Sequence, residues 1–193
     1  MRIGIIGGSF NPPHKLHYQM AEEILKRNLV DKIIYVPTGD KYAKSDLIDG
    51  RHRFNMLGLM TDKNEQIEVS DYEIHAGASY TFETLDYFKK QNQTDDIYFI
   101  MSSDLILDIE KWKNPDYILE NYRIIGLKRK GVEIKRLPEI YNRTKSLQLY
   151  DFDMEELSST LIREEIKHNG YLELEKYLDE KVIEYIIYNK LYR

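Results

Sequence analysis

No cysteine occurs anywhere in the chain, which excludes disulfides and thiolate metal sites. No stretch approaches the ~20 consecutive apolar residues of a membrane-spanning helix. The short apolar run in "MRIGIIGG" cannot form the core of a signal peptide, and it ends in glycines rather than a cleavage site. A cytoplasmic location without a membrane partner is therefore expected. An excess of basic charge is also missing. The formal net charge is −5, which argues against a general nucleic-acid binder. Tryptophan occurs once and histidine five times, so the places where these side chains stand are informative. Internal repeats, low-complexity tracts and linkers are absent too.

What remains is an ordinary soluble composition, with 193 residues, 42% of them hydrophobic and 32% charged. That length fits one domain, residues 1–193, with a continuous core. Short apolar runs alternate with helical patterns. "RIGIIG" (Arg2–Gly7), "KIIYVP" (Lys32–Pro37), "IYFIM" (Ile97–Met101) and "YRIIGL" (Tyr122–Leu127) are β-branched, aromatic and bounded by turn residues, as buried strands are. Between them, Leu16–Asn28, Arg51–Asp62 and Thr81–Gln91 carry apolar residues at helical spacing, and Leu172–Leu191 reads as one or two further helices. This β-α-β-α rhythm predicts an α/β fold, a doubly wound parallel sheet with C-terminal helices. Ligands of such sheets bind beyond the carboxyl ends of the strands.

The loop after the first strand reads "GGSFNPPHKLH", Gly7 to His17. Glycines there let the backbone approach a phosphate, and a following helix start adds its positive end. The spacing is not G-x-G-x-x-G, and the second strand ends in "YVPT" rather than in an acidic residue. Both features count against a dinucleotide-dependent dehydrogenase. His14 and His17 stand at an interval that places two side chains on one side of a helical turn. One could cap the helix while the other faces solvent. A metal pair would need a third ligand, and none stands at a recognisable spacing. Two imidazoles could also donate hydrogen bonds to a phosphate and stabilise charge developing in transfer.

These residues resemble the G-x-F-[DN]-P-x-H-x-G-H signature of the nucleotidylyltransferase superfamily, with Leu16 where that family has glycine. The resemblance implies a Rossmann-like enzyme in which Gly8, Ser9, Phe10, His14 and His17 bind ATP. "STLIREEI" (Ser159–Ile166) resembles the family's late S-[ST]-T-x-I-R segment. Ser159 and Thr160 would then contact the triphosphate and Arg163 would grip its outer phosphates. Read alone, the same segment is a capped helix with a solvent arginine.

"DGRHRFNML" (Asp49–Leu57), "YTFETL" (Tyr80–Leu85), "SSDLILDIEKW" (Ser102–Trp112) and "VIEYIIYNKLYR" resemble, in order, the bacterial nicotinate-nucleotide adenylyltransferases. That resemblance implies adenylyl transfer from ATP to nicotinate mononucleotide, with Mg²⁺ carried mainly by the ATP phosphates. It also implies that Tyr80 and Thr81 border the pyridine substituent, Asp104 bonds nucleotide groups, Trp112 stacks on the pyridine, and Lys44 reaches substrate phosphate. Arg129, in "KRKG", could also face phosphate, although the run reads more simply as a solvated turn. Ser102-Ser103 replaces the family's Gly-Ala or Gly-Gln, and "PTGDKYAKSDL" is similar to the loop of nicotinamide-mononucleotide enzymes. A nicotinamide-mononucleotide or dual-specificity transferase, another transferase of the same fold, or a non-catalytic nucleotide-binding regulator are the alternatives. The sequence is compatible with a homo-oligomer.

Overall fold

The computed structural model describes residues 1–41, 46–77, 79–129, 143–144, 146–152 and 157–193, with Arg129 described by its backbone alone. Six strands form one sheet: β1 (Arg2–Gly8), β2 (Lys32–Pro37), β3 (Ile67–Val69), β4 (Asp96–Ser102), β5 (Arg123–Arg129) and β6 (Ser146–Phe152). Every pairing is parallel, in the order β3-β2-β1-β4-β5-β6. The four strand runs read from the sequence occupy the centre and are extended here by two edge strands, β3 and β6, that it did not reveal. β3 has three residues, and "SLQLYDF" in β6 mixes polar and apolar side chains on an edge, so neither makes a continuous apolar run.

Strand side chains alternate between two cores, as a two-residue period requires. Ile3, Ile5, Ile97, Phe99 and Met101 enter one cluster, while Ile6, Tyr98, Ile100, Ile125 and Leu127 enter the other. The second of these clusters lies under α1 (Lys15–Lys26), α2 (Gly50–Thr61), α7 (Ser159–Asn169) and α8 (Glu180–Tyr188). The first lies under α4 (Thr81–Gln91), α5 (Ser103–Leu107) and α6 (Pro115–Asn121). A short α3 (Tyr72–Ala76) packs near β2. The segment expected to give one or two late helices forms a 3₁₀ turn at Leu174–Lys176 and then α8.

Helix ends follow local chemistry. Asp49 and Asp179 cap α2 and α8 by accepting the N–H groups of Arg51 and Lys181, each at 2.9 Å or less. Helix α1 stops where Asn28 turns left-handed (φ 54°) and the N–H of Leu29 reaches back to the Ile24 carbonyl, a Schellman ending in which asparagine replaces the usual glycine. No helix among the described residues is long and apolar enough to cross a membrane. The order in which strands are added changes sense between β1 and β4, and the crevice beyond their carboxyl ends is the position where such sheets take ligands. The Gly8–His14 loop and the Ser102–Asp104 turn both open there.

Candidate active site

The loop after β1 is held from inside. Phe10, in a left-handed conformation (φ 47°), turns its ring under the loop. There it meets His17 edge-on at 5.0 Å and Tyr35 at 5.3 Å. The Tyr35 hydroxyl, kept protonated by burial, donates to the His17 carbonyl at 2.6 Å. His14 is the N-cap of α1 and His17 lies in its first turn. Their rings stack 3.7 Å apart. The His14 backbone N–H donates to His17 Nδ1 at 3.1 Å. A backbone N–H can only donate, so Nδ1 carries no proton and neutral His17 bears it on Nε2. The fold therefore sets His17 as an Nε2–H donor. Leu16, the departure from the family's glycine, is buried, so its larger side chain does not crowd the mouth of the loop.

Helix α7 is fastened to this loop. Its N-cap is Ser158, which accepts from the Leu161 N–H at 3.2 Å. Ser159 is thereby freed from capping, and its hydroxyl donates to the Pro12 carbonyl at 2.8 Å. One turn later, Arg163 Nη1 donates to the Asn11 carbonyl at 2.9 Å, with Asp46 Oδ2 3.8 Å from Nη2. The exposed Thr160 accepts from the same guanidinium at 3.4 Å. The structure thus brings Gly8, Ser9, Phe10, His14, His17, Ser159, Thr160 and Arg163 together around one loop.

Arg53 was missed by sequence reasoning. Its side chain is wholly buried and donates to the carbonyls of Ile48, Ser9 and Thr38 and to Asp40 Oδ1, at 2.6–3.0 Å. It ties the loops after β1 and β2 to the start of α2. The signal was present in "DGRHRF", where an arginine stands on the inward face of the predicted helix. Gly39 completes this seam, since a Cβ there would lie 2.4 Å from the Glu73 carbonyl oxygen and 2.5 Å from that of Gly77. Glu73 accepts from the Thr84 hydroxyl at 2.6 Å, linking α3 to α4.

The opposite wall is looser. Tyr80 is the N-cap of α4 and is 56% exposed. Its N–H donates to Glu83 at 2.8 Å, and Thr81 begins the helix. Asp104 sits in the first turn of α5, beyond the end of β4. Beside it Ser103 is fully buried, so the Ser-for-Ala or Gln departure lies beneath the crevice surface. Trp112 is half-buried at the end of a 3₁₀ turn, touching Phe99 edge-on at 6.0 Å. Phe82 and Trp112 flank the same apolar cluster. Lys44 and the side chain of Arg129 lie outside the described residues. Among the described residues, no three His, Asp or Glu side chains gather as a metal site.

Comparison with known proteins finds relatives along nearly the whole chain. The cytidylyltransferase-like family model matches residues 5–165. A Clostridium tetani protein named "Probable nicotinate-nucleotide adenylyltransferase" is 34% identical over 98% of both chains. The Plasmodium falciparum nicotinic acid mononucleotide adenylyltransferase complexed with NaAD superposes with a TM-score of 0.85, at 26% identity over 99% of this chain and 97% of that one. The same parasite enzyme complexed with APC gives 0.81, at 25% identity over 99% and 96%. By its sequence and by its sheet order, the chain belongs to the cytidylyltransferase-like family.

Proposed function

We propose that this protein transfers the adenylyl group of ATP to the phosphate of nicotinate mononucleotide, forming deamido-NAD and pyrophosphate in NAD synthesis. The observation that carries the proposal is the His14–His17 pair stacked at the start of α1 and joined through one loop to Arg163. Full-length relatives named for this activity support the choice of acceptor.

The acceptor phosphate is mostly ionised near neutrality, its second pKa being about 6, and needs no general base. Its oxygen bonds to the α-phosphorus of ATP as the bond to the bridging oxygen of the β-phosphate breaks, and that oxygen leaves with pyrophosphate. The protein's task is in-line alignment and stabilisation of charge. His17 Nε2–H, His14, Arg163 and Lys44 serve there. The backbone of Gly8, Ser9 and Phe10 and the α7 start at Ser159 and Thr160 border the triphosphate. Ser159 acts chiefly by pinning Pro12. Mg²⁺ would ride mainly on the ATP oxygens, where it would supply charge neutralisation.

On the acceptor side, N–H groups in the first turn of α4, at Thr81 and Phe82, have no intrahelical partner and suit a carboxylate. Trp112 supplies a ring for the pyridine, and Asp104 accepts from nucleotide hydroxyls. An amide presents its NH₂ to those same donors, a mismatch that gives strong selection where shape alone cannot. A cytoplasmic location accords with a biosynthetic use of ATP. Pyrophosphate release measured with each mononucleotide tests the reading. A higher kcat/KM for nicotinate mononucleotide is expected, and an equal or reversed preference would move the protein to the nicotinamide or dual-specificity class.

A further inference from the structure

The segment after α8 is folded back with unusual local geometry. Helix α8 ends at Tyr188 with Asn189 as its C-cap. The N–H of Lys190 then bonds the Ile187 carbonyl and that of Leu191 the Ile186 carbonyl, at 3.1 and 3.0 Å. This is the Schellman pattern, which favours glycine at the left-handed position. Here Lys190 takes that position, with φ 54°, and two residues later Tyr192 is left-handed again, with φ 66°. Bulky residues rarely adopt this conformation, and such outliers persist only where surrounding contacts impose them. The contacts are present. The Tyr171 hydroxyl donates to the Leu191 carbonyl at 3.1 Å, and the Arg193 guanidinium lies over the Tyr171 ring at 4.6 Å.

The result is to aim the Tyr192 hydroxyl at the loop after β1, where it donates to Asn11 Oδ1 at 3.1 Å. Asn11 is 4% exposed, and its side-chain amide and its carbonyl are engaged. Its Nδ2 donates to the Asp46 carbonyl at 2.7 Å, its Oδ1 also takes the Ile48 N–H at 3.4 Å, and its carbonyl receives Arg163. Burial raises the Tyr192 hydroxyl well above the ordinary tyrosine range, against the pull of the Arg163 and Arg53 charges, so it remains a donor at neutral pH.

We propose that Tyr192 is a positioning residue for the nucleotide site, acting through Asn11 to hold the phosphate loop and Arg163 in the register that ATP requires. The proposal rests on the assignment of that loop to ATP. Nothing in the chemistry asks Tyr192 to touch substrate. Its hydroxyl fixes which way the Asn11 amide faces, and that fixes the carbonyl to which Arg163 is tied.

The experiment is a double-mutant cycle read by equilibrium titration with ATP alone, using Tyr192→Phe, Asn11→Ala and the pair in the full chain. Tyr192→Phe keeps the ring and removes only the hydroxyl. ATP affinity is expected to fall about 3- to 10-fold, the range of one hydrogen bond, with the thermal midpoint little changed and the affinity for the mononucleotide retained. In the Asn11→Ala background, Tyr192→Phe should have no further effect. Unchanged ATP affinity in Tyr192→Phe would overturn the proposal, as would independent, multiplying effects of the two changes or an equal loss of mononucleotide affinity. A wild-type protein that binds no ATP would overturn this proposal together with the functional reading on which it rests.

Discussion

The two walls of the crevice are held in different ways. On the side proposed for the triphosphate, main-chain carbonyls of Ser9, Asn11 and Pro12 are each engaged by a side chain from a distant element, namely Arg53, Arg163 and Ser159. On the side proposed for the pyridine, Tyr80 is largely exposed and Trp112 leans on one ring edge. Hydrogen bonds to backbone fix positions to within tenths of an ångström, whereas a ring edge leaves a side chain free to rotate or tilt. The contrast suits a transferase. Charge stabilisation needs groups in place before the transition state, while acceptor selection can proceed by fitting a ring into an adaptable slot.

The strongest way to break this comparison is His17→Ala. It removes the Nε2–H donor and the acceptor for the His14 N–H, and turnover should fall at least ~100-fold while circular dichroism remains native. Near-normal turnover would mean that the rigid wall is not the catalytic one. Arg163→Ala comes next. ATP affinity should drop about 10- to 100-fold, as for loss of a charged hydrogen-bonding group, and the pyridine mononucleotide should bind as before. If calorimetry found the losses exchanged between the two ligands, the walls would have to be reassigned.

Trp112→Ala probes the looser wall. Both pyridine mononucleotides should bind about 1–3 kcal/mol more weakly, the usual value for a base on an aromatic platform, with ATP affinity unchanged. An unaffected variant would make Trp112 a packing residue for Phe99. The smallest effect concerns the seam between the walls. Burial raises the Glu73 carboxyl above its ordinary value, outweighing the Thr84 hydroxyl, the Gly39 N–H and the Arg53 charge, which act to lower it. A carboxyl whose folded value exceeds its unfolded one favours folding least when ionised. Its contribution is therefore fully present below the unfolded value of 4.5 and is lost as pH rises through the raised one. Glu73→Gln should thus gain stability relative to wild type as pH rises from 4.5 through the raised value. Urea midpoints for the two proteins across that range would show it, and parallel curves would assign Glu73 no titration on folding.

Much of this architecture could be read before any coordinates. The four central strands are apolar on both faces because both faces are covered, and that pattern is local. β3 and β6 escaped because edge strands need only one apolar partner. His14, His17 and Arg163 could be singled out because they stand in short contiguous motifs, and the structure gathers them around one loop. Arg53 and Asn11 were harder to read, since their roles depend on carbonyls contributed by loops far away in the chain. The N-cap of α7 is Ser158 rather than a residue of the S-T pair, a shift of one position that sequence cannot settle when three hydroxyl residues are adjacent. Ser103, the first residue of α5, is fully buried, which the sequence around it does not reveal.

The fasteners of the first loop come from the far part of the chain, with Ser159, Arg163 and Tyr192 standing 147, 152 and 181 residues from their partners. During synthesis the loop is made well before the residues that lock it. Contacts of such long range are slow to form, because the ordering cost is met before they add stability. Until then Ile162, Ile166, Val182 and Ile186 have yet to cover their part of the core beside α1 and α2. The nascent chain therefore carries this loop unlocked, with an uncovered apolar face. The locked loop arrives only once the helices that fasten it have been made.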